Sequence, residues 1–392
     1  MFEKELQKLK ELHEKGLYKA SFYQNKIKDS SVFDSYEKFQ EIPFTYKQEL
    51  RESSIMDRTA TEPKDIYGIF SSSGTTGDKT FYIYSKNDRK VHEEVVHELL
   101  GQVGINENDI AGIMAPVDTG VMAHAMMWQY NIMGAGYVNC PVPTPENMID
   151  VITKVPVTVV STRPNFVSKV FYNPETAKAA KESKVTKLLL GGGFLSKERR
   201  KLLEETWGAD CYSMLGMSEV FGPLAGECHE KDGMHFPDQY IMIELLDPVT
   251  MKPVAPGEMG IAVYTTLWEK GFPLIRYWTD EVLTITYEPC NCGSAYPRLY
   301  YLGRLADYID VNGKYVFPET VENILFENQF FGDYKIYVDG EQISVKTEDE
   351  KREITETMQK DMNQLFEREV EIQIVPVGSL EYPGVGKRVV YL

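Results

Sequence analysis

The sequence predicts an α/β protein with a large N-terminal domain of several sheets, a β-rich subdomain within it, and a small α+β domain at the C-terminus. Short apolar segments alternate with helical patterns up to about residue 240, which is typical of doubly wound α/β domains. Short strand patterns separated by Pro-Gly turns follow, and they indicate the β-rich subdomain. Residues 304–392 then contain a hairpin, a helix and a strand of their own. We therefore expect domains at 1–303 and 304–392.

Composition excludes several classes of partner. Of the 392 residues, 43% are hydrophobic and 26% are charged, as in ordinary soluble proteins. The formal net charge of −17 argues against nucleic acid, because binding a phosphate backbone requires clustered Lys and Arg. The N-terminus has no secretory pattern, and no apolar stretch approaches the length of a membrane span. The expected location is the cytoplasm, with neither nucleic acid nor membrane as a partner.

A run of hydroxyl residues and glycines, 71–80, lies between strand-like patterns at 66–70 and 81–84. Accessible backbone N–H groups, hydroxyls and the cation of Lys79 are what a polyphosphate needs. The helix-opening nucleotide motif is absent, because the two glycines are only three residues apart. A flexible Ser/Gly turn is the alternative. The candidate phosphate-binding residues are Ser72, Ser73, Gly74, Thr75, Thr76 and Gly77.

Two further loops follow buried strands. The first contains a glycine triplet after Leu190, and the second contains a glycine turn and an exposed carboxylate after the strand that begins near Cys211. Loops at the carboxyl ends of strands bind ligands in open α/β sheets, so we expect both loops to converge with 71–80. Their candidate ligand-binding residues are Gly192, Gly193, Gly216, Met217, Ser218 and Glu219.

His124 and Trp128 lie one helical turn apart in the apolar segment 122–133 and could line a substrate pocket. Packing in the core is the alternative, since aromatic residues at helical spacing are often buried.

Three cysteines and one histidine predict a structural zinc site. Cys290 and Cys292 form a C-x-C pair, and with Cys228 and His235 they complete a Cys₃His set, a usual closed zinc combination. His229 is a competing ligand, and two unrelated buried-thiol loops are the alternative. We expect no catalytic role for this site. The remaining cysteines, Cys140 and Cys211, lie in apolar strands and are expected to pack in the core.

Four stretches in order resemble the core motifs of adenylate-forming enzymes. They are Ser72–Gly77, Gly216–Glu219, the stretch from Gly303-Arg304 through Asp307, Gly313 and Pro318-Glu319, and Gly386-Lys387. The closer resemblance is to the phenylacetate-CoA ligase branch. The residues that carry it are Ile42-Pro43-Phe44-Thr45, Ser218–Pro223, Tyr287–Gly293, Val316-Phe317-Pro318 and 378–387. This resemblance implies a large domain, a small lid that rotates about Gly303-Arg304, and two half-reactions that consume ATP, a carboxylic acid and a thiol.

The resemblance also implies roles for individual residues. The run 71–80, which we call the hydroxyl loop, would hold phosphates. Glu219 would share a Mg²⁺, and Lys387 would bring its charge to the reacting carboxylate and the α-phosphate. Arg304 is a further candidate at the nucleotide site, and either Asp280 or Glu281 would bind the ribose. Two positions depart from the family pattern: Leu215 replaces an aromatic residue, and Ala306 replaces a charged one.

The predicted function is ATP-dependent activation of a carboxylic acid followed by transfer to CoA, with an aryl or arylacetic acid preferred. Transfer to a carrier-protein thiol or an amine is the alternative. A non-enzymatic adenylate sensor is disfavoured because binding alone would not need Lys387. The identity of the acid and the oligomeric state, a homodimer included, are left open by the sequence.

Overall fold

The computed structural model describes residues 2–72, 79–349, 351–380 and 388–392. The chain divides into two compact units. The first comprises Met1–Glu107, Val117–Gly134 and Met214–Tyr301, and the second comprises Asn108–Pro116, Ala135–Ser213 and Leu302–Leu392. Each unit contains helices and sheets, as predicted for an α/β protein. The expected domain boundary at residues 303 and 304 stays a prediction, since the second unit groups 302–392 with two earlier segments.

The helices are α1 (Glu3–Glu14), α2 (Ser21–Gln24), α3 (Tyr36–Gln40), α4 (Lys47–Glu52), α5 (Lys86–Gly101), α6 (Val121–Ile132), α7 (Pro145–Lys154), α8 (Pro164–Ser168), α9 (Pro174–Lys181), α10 (Lys197–Trp207), α11 (Pro318–Glu327) and α12 (Glu356–Phe366). The strands are β1 (Ile66–Ser71), β2 (Phe81–Ser85), β3 (Ile110–Ile113), β4 (Gly136–Asn139), β5 (Val159–Thr162), β6 (Lys187–Gly191), β7 (Asp210–Met217), β8 (Phe221–Glu227), β9 (Met234–His235), β10 (Ile241–Leu246), β11 (Gly260–Thr266), β12 (Tyr277–Thr286), β13 (Arg298–Arg304), β14 (Ile309–Val311), β15 (Lys314–Val316), β16 (Tyr334–Asp339), β17 (Gln342–Glu348), β18 (Val370–Val375) and β19 (Val389–Tyr391). Within the described residues, no helix combines the length and the apolar character needed to cross a membrane.

The first unit is built on the antiparallel hairpin β1–β2 and on a sheet with the order β10-β11-β12-β13-β9-β8, which the second half of β7 extends. The N-terminal helices cover part of this sheet. Leu6, Leu9 and Leu12 of α1 are buried in one cluster with Met242 and Ile275. Most members of this cluster are N-terminal residues, and Met242, Leu267 and Ile275 connect them to the later segments.

The second unit contains a parallel sheet with the order β6-β5-β3-β4. Its strands are short and mostly apolar. Strands β5 and β6 are mostly buried, as expected for strands covered on both faces, whereas the edge strand β4 is partly exposed. Cys140 and Cys211 belong to the buried cluster of this sheet, as predicted. The C-terminal segment adds a second sheet, β18-β17-β16-β19. Its hairpin turns at Gly340-Glu341, where the φ of +56° at Gly340 favours glycine.

Arg199 of α10 connects the C-terminal segment to the rest of the second unit. Its guanidinium donates to both carboxylate oxygens of Glu322 on α11, at 2.9 and 2.8 Å. Both side chains are 3% exposed.

Three elements begin or end at other residues than the sequence predicts. The glycine turn expected at Gly216 is wrong, because β7 continues through Met217 and the chain turns only at Ser218. The apolar pattern predicts a strand from Leu283, but β12 already begins at Tyr277, because Thr279, Asp280 and Glu281 break the apolar pattern while the strand continues through them. The apolar spacing that begins at Ile354 predicts the last helix from there, but α12 begins after Thr355, whose side chain caps it, so Ile354 lies outside it.

Candidate active site

The Glu219 carboxylate lies in the turn between β7 and β8 and is 4% exposed, so the expectation of an exposed carboxylate is wrong. Its Oε1 atom accepts hydrogen bonds from the Tyr82 hydroxyl at 2.9 Å and the Tyr277 hydroxyl at 3.1 Å. The Lys47 ammonium lies 3.0 Å from the same oxygen. These side chains come from β2, β12 and α4 of the first unit. We call the four residues Glu219, Lys47, Tyr82 and Tyr277 the Glu219 cluster.

The cluster keeps Glu219 ionised. Burial alone would raise the pKa of this carboxyl, but the charge of Lys47 and the hydrogen bonds from Lys47 and Tyr82 outweigh it, so the pKa lies below its usual value. Burial and the nearby carboxylate also raise the pKa values of Tyr82 and Tyr277, so both phenols remain donors. A buried, ionised carboxylate fits the donor type that Mg²⁺ prefers.

Sequence reasoning missed Lys47, Tyr82 and Tyr277. Lys47 is the first residue of α4 and follows the Ile42–Thr45 stretch by two residues. That proximity was the one signal that could have indicated it. The tyrosines lie in strands where aromatic residues are common, and only the three-dimensional arrangement turns their hydroxyls toward Glu219.

The described ends of the hydroxyl loop form its base. The Ser72 N–H donates to the Thr80 carbonyl at 2.8 Å, and the Thr80 N–H donates to Ser72 Oγ at 3.2 Å. The Lys79 ammonium donates to Thr119 Oγ1 at 2.7 Å. The strands predicted on both sides of the loop are therefore present and paired. Ser73, Gly74, Thr75, Thr76 and Gly77 lie outside the described residues, as does Lys387.

The predicted residues of the second loop lie next to Glu219. A Cβ atom on Gly216 would approach the Gly222 Cα to 3.0 Å, so the two strands meet too closely for a side chain there. Met217 pairs with Phe221 across the turn. The Ser218 carbonyl accepts a hydrogen bond from the Tyr84 hydroxyl at 3.0 Å.

Gly192 and Gly193 follow β6 in the second unit, and Arg304 ends β13 there with its side chain exposed. The predicted convergence of their loops with Glu219 stays a prediction.

The two alternative ribose acids have different surroundings. Asp280 is exposed, has a φ of +60°, and accepts a hydrogen bond from the Trp278 indole at 2.5 Å. Glu281 is 8% exposed and accepts from the Tyr264 hydroxyl at 3.2 Å. The register between β11 and β12 shifts at this stretch, so regular strand alternation does not assign the two side chains to faces of the sheet. The choice between them stays open.

Trp128 lies in an aromatic cluster with Tyr67 and Phe70, at ring-centre distances of 5.0 and 5.3 Å. It lines a cleft of about 270 Å³, solvent-open space included, together with Tyr84, Arg89 and other residues of β1, α5 and α6. His124 contacts the same Phe70 ring at 5.3 Å, but it does not line this cleft. The pocket role of both residues stays a prediction.

The structure brings the four predicted zinc ligands together. One ligand atom each from Cys228, His235, Cys290 and Cys292, which we call the Cys/His cluster, lies within 4.8 Å of the others. The sulfur atoms of Cys228 and Cys290 are 3.8 Å apart, and Cys292 Sγ lies 3.2 Å from His235 Nε2. Two thiolates bound tetrahedrally at about 2.3 Å from one zinc ion would be about 3.8 Å apart. The donor set and its spacing therefore fit zinc.

The histidines of this region are distinguished by their partners. His235 Nδ1 lies 2.8 Å from the Tyr296 carbonyl, which leaves Nε2 to face the sulfur atoms. His229 instead has its Nδ1 3.4 Å from the Gln102 carbonyl and its Nε2 3.3 Å from Glu230. The competing ligand proposed from the sequence is therefore outside the cluster. Burial raises the pKa of the Cys228 thiol to about 12, and a bound cation would reverse that shift.

The α/β fold and the buried, ionised Glu219 in its family motif point to the adenylate-forming class of enzymes. The chain belongs to the AMP-binding enzyme family, whose model matches residues 3–265. The phenylacetate-coenzyme A ligase of Thermus thermophilus is 29% identical over 319 residues, which cover 78% of this chain and 71% of that one. The corresponding ligase of Pseudomonas putida is 25% identical over 305 residues, which cover 76% of this chain and 68% of that one. The predicted resemblance to the phenylacetate-CoA ligase branch is confirmed.

Solved structures agree on the fold. A 2-hydroxyisobutyryl-CoA ligase in the postadenylation state superposes with a TM-score of 0.83 at 19% identity, covering 99% of this chain and 89% of that one. An anthranilate CoA ligase in complex with anthranoyl-AMP gives a TM-score of 0.63 at 16% identity, covering 84% and 66%. The predicted α/β fold class is thereby confirmed.

Proposed function

We propose that this protein is an AMP-forming acid-CoA ligase that prefers an aryl or arylacetic acid. ATP and the acid give an acyl-adenylate and pyrophosphate, and the thiol of CoA then displaces AMP. Family membership and the named relatives support this reaction. The observation that carries the proposal is the Glu219 cluster, which holds a buried, ionised carboxylate and a lysine within 3.0 Å of each other beside the base of the hydroxyl loop.

Adenylate formation requires positioning and charge neutralisation rather than covalent catalysis. The substrate carboxylate attacks the α-phosphorus, and the bond to pyrophosphate breaks. When bound at Glu219, Mg²⁺ would neutralise negative charge on the phosphates. Tyr82 and Tyr277 orient the carboxylate for that role, and Lys47 supplies a second positive charge near it. Hydroxyls and N–H groups of 72–77 would hold the leaving phosphates, as the family resemblance implies.

Lys387 is proposed to neutralise the reacting carboxylate and the α-phosphate from a mobile lid formed by 304–392. Lys387→Ala should then abolish adenylate formation and leave thiol transfer from a supplied acyl-adenylate much less affected. Purified protein assayed separately for the two half-reactions provides the test. Equal loss in both would contradict a lid that serves them in different orientations.

For the Cys/His cluster we propose a structural zinc ion. Its ligands come from two loops of the β-rich subdomain, so one ion would clamp both loops and stabilise that subdomain. Cytoplasmic location and a homodimeric state stay as expectations from the sequence.

Acid-dependent exchange of labelled pyrophosphate into ATP tests the adenylation step. Benzoate, phenylacetate and their hydroxylated relatives should support exchange better than acetate, propionate or palmitate, because a flat ring gains affinity by stacking in an aromatic pocket. CoA-dependent release of AMP tests the second step. Release that requires a carrier protein or an amine instead of CoA would favour the alternative acceptor, and absence of exchange with every acid would refute adenylation.

A further inference from the structure

Arg276 immediately precedes Tyr277 of the Glu219 cluster and has an unusual backbone. Its side chain is 4% exposed, and its φ of +42° is rare for a residue other than glycine. The N–H of Arg276 donates to Thr265 Oγ1, and its carbonyl accepts from the Thr45 N–H, both at 2.9 Å. Backbone strain of this kind persists where the surroundings fix it, and it is concentrated at functional sites.

The Arg276 guanidinium holds the chain just before α4. Nη1 donates to the carbonyl oxygens of Gln40 and Ile42, at 2.5 and 2.8 Å. Nε and Nη2 donate to the Glu244 carboxylate at 3.2 and 3.3 Å. The guanidinium carbon also lies 4.4 Å from the centre of the Phe44 ring. One planar group thus binds two carbonyls, a carboxylate and a ring face.

The segment that Arg276 holds leads directly to the Glu219 cluster. Thr45 pairs with both neighbours of Tyr277, since its N–H donates to the Arg276 carbonyl and its carbonyl accepts from the Trp278 N–H at 3.0 Å. Two residues later, the Lys47 ammonium contacts Glu219. Arg276 therefore lies where the positions of Lys47 and of Tyr277 are set together.

We propose that Arg276 is a positioning residue for adenylate formation, acting through the segment Ile42–Lys47. The inference rests on the proposed function, because it assigns a source for the geometry of the Glu219 cluster. Lysine cannot replace arginine here: an ammonium has three N–H donors and no planar face, so it cannot serve Glu244, both carbonyls and the Phe44 ring at once.

A double-mutant cycle with Arg276→Lys and Lys47→Ala tests the proposal in the pyrophosphate exchange assay. Arg276→Lys should lower kcat per folded molecule by roughly tenfold or more, because small displacements of a positioned group are costly. Lys47→Ala should lower it by about a hundredfold. The double variant should match Lys47→Ala within about threefold, since Arg276 acts through Lys47. Independent effects that multiply, or wild-type kcat in Arg276→Lys, would overturn the proposal.

Thermal unfolding gives a second readout. A purely structural role of Arg276 would lower thermal stability and leave kcat per folded molecule unchanged. Glu244→Gln serves as the matched variant, because it removes the ion pair but leaves the two carbonyl hydrogen bonds of Arg276 in place. It should lose stability and keep the wild-type kcat per folded molecule.

A labelling arm does not depend on turnover and so separates this inference from the proposed function. Lys47 bonded to Glu219 should react slowly with an amine-acylating reagent, and Arg276→Lys should raise its labelling rate by about threefold or more. Lys64, an exposed lysine paired with Glu62, is the internal control and should not change. Failure of exchange in the wild type would refute the function alone, whereas unchanged Lys47 labelling would refute the positioning role.

Discussion

The Glu219 cluster and the Cys/His cluster both lie in the first unit, and a metal ion is proposed at each, but the contacts of the proposed ligands differ. The Glu219 carboxylate already accepts two phenolic hydrogen bonds and contacts an ammonium. The four Cys/His atoms instead face one another within 4.8 Å. The first arrangement is stable as a charged group before any ligand arrives, whereas the second would gain its cohesion from the proposed zinc ion. Loss of the Glu219 cluster should therefore reduce the rate of adenylate formation, and loss of the Cys/His cluster should reduce the free energy of unfolding.

The largest expected effect is that of Glu219→Gln. It should lower the rate of pyrophosphate exchange by about a thousandfold, because an amide cannot hold Mg²⁺ as a carboxylate does. The melting temperature should change by only a few degrees, since glutamine keeps the shape and one acceptor oxygen. The assay is exchange at saturating acid and ATP, together with thermal unfolding.

A control distinguishes this loss from a general effect of removing charge. Glu62→Gln removes an exposed carboxylate that also contacts a lysine, at 2.7 Å. It should leave both rate and melting temperature unchanged. A Glu219→Gln protein that kept its rate and lost its stability would reverse the contrast between the clusters.

The second expected effect concerns the Cys/His cluster. Protein purified without chelator should contain about one zinc per chain. Chelation should destabilise it by about 3 kcal/mol, or roughly 10 °C in melting temperature, because the ion clamps two loops. The value of kcat per folded molecule should change by less than twofold. Metal analysis and thermal unfolding with and without chelator provide the measurement.

Two cysteine variants sharpen this test. Cys290→Ser removes a ligand, so its melting temperature should already be low and should not respond to chelator. Cys140→Ala removes a buried thiol outside the cluster, and it should respond to chelator as the wild type does. A zinc content near zero in the wild type, or equal chelator responses in both variants, would refute the assignment.

The sequence predicted those parts of the two clusters that local chemistry identifies. Cys290 and Cys292 lie in one short motif, and Glu219 lies in a family motif, so type and spacing sufficed. The partners of Glu219 could not be predicted in this way. Tyr82 and Tyr277 lie 137 and 58 residues away from it, and a tyrosine in a strand gives no local sign of where its hydroxyl points.

Local sequence patterns likewise predicted some elements of the fold and not others. Periodicity located α10 at Lys197–Trp207 and the hairpin β16–β17, because each has a regular pattern and its own end signals. It failed at the start of β12, where Arg276 and Asp280 adopt left-handed φ values and the polar run lies inside the sheet. Such backbone is fixed by tertiary contacts, here by Thr45 and Thr265, which a local pattern does not contain.

The smallest expected effect is that of Tyr277→Phe, which removes one donor to Glu219 and keeps the ring. A hydrogen bond to a charged group contributes about 1.5 kcal/mol, so exchange should slow by roughly tenfold. Tyr334→Phe is the matched control: its buried hydroxyl donates to the neutral Pro318 carbonyl at 2.8 Å. The control should lose comparable stability and keep the wild-type rate.

The pH dependence of Tyr277→Phe tests whether the donors are what keeps Glu219 ionised. In the folded protein the pKa of Glu219 lies below its usual 4.5, so its stabilising contribution is present above pH 4.5 and is lost as the pH falls through the folded-state pKa. Removing a donor raises that folded-state pKa. The exchange rate falls on acidification, and this part of the pH profile is its acid limb. Both the acid limb and the onset of acid unfolding should therefore move to higher pH in Tyr277→Phe, and neither should move in Tyr334→Phe. An acid limb that stays in place would mean that Lys47 and Tyr82 alone determine the charge of Glu219.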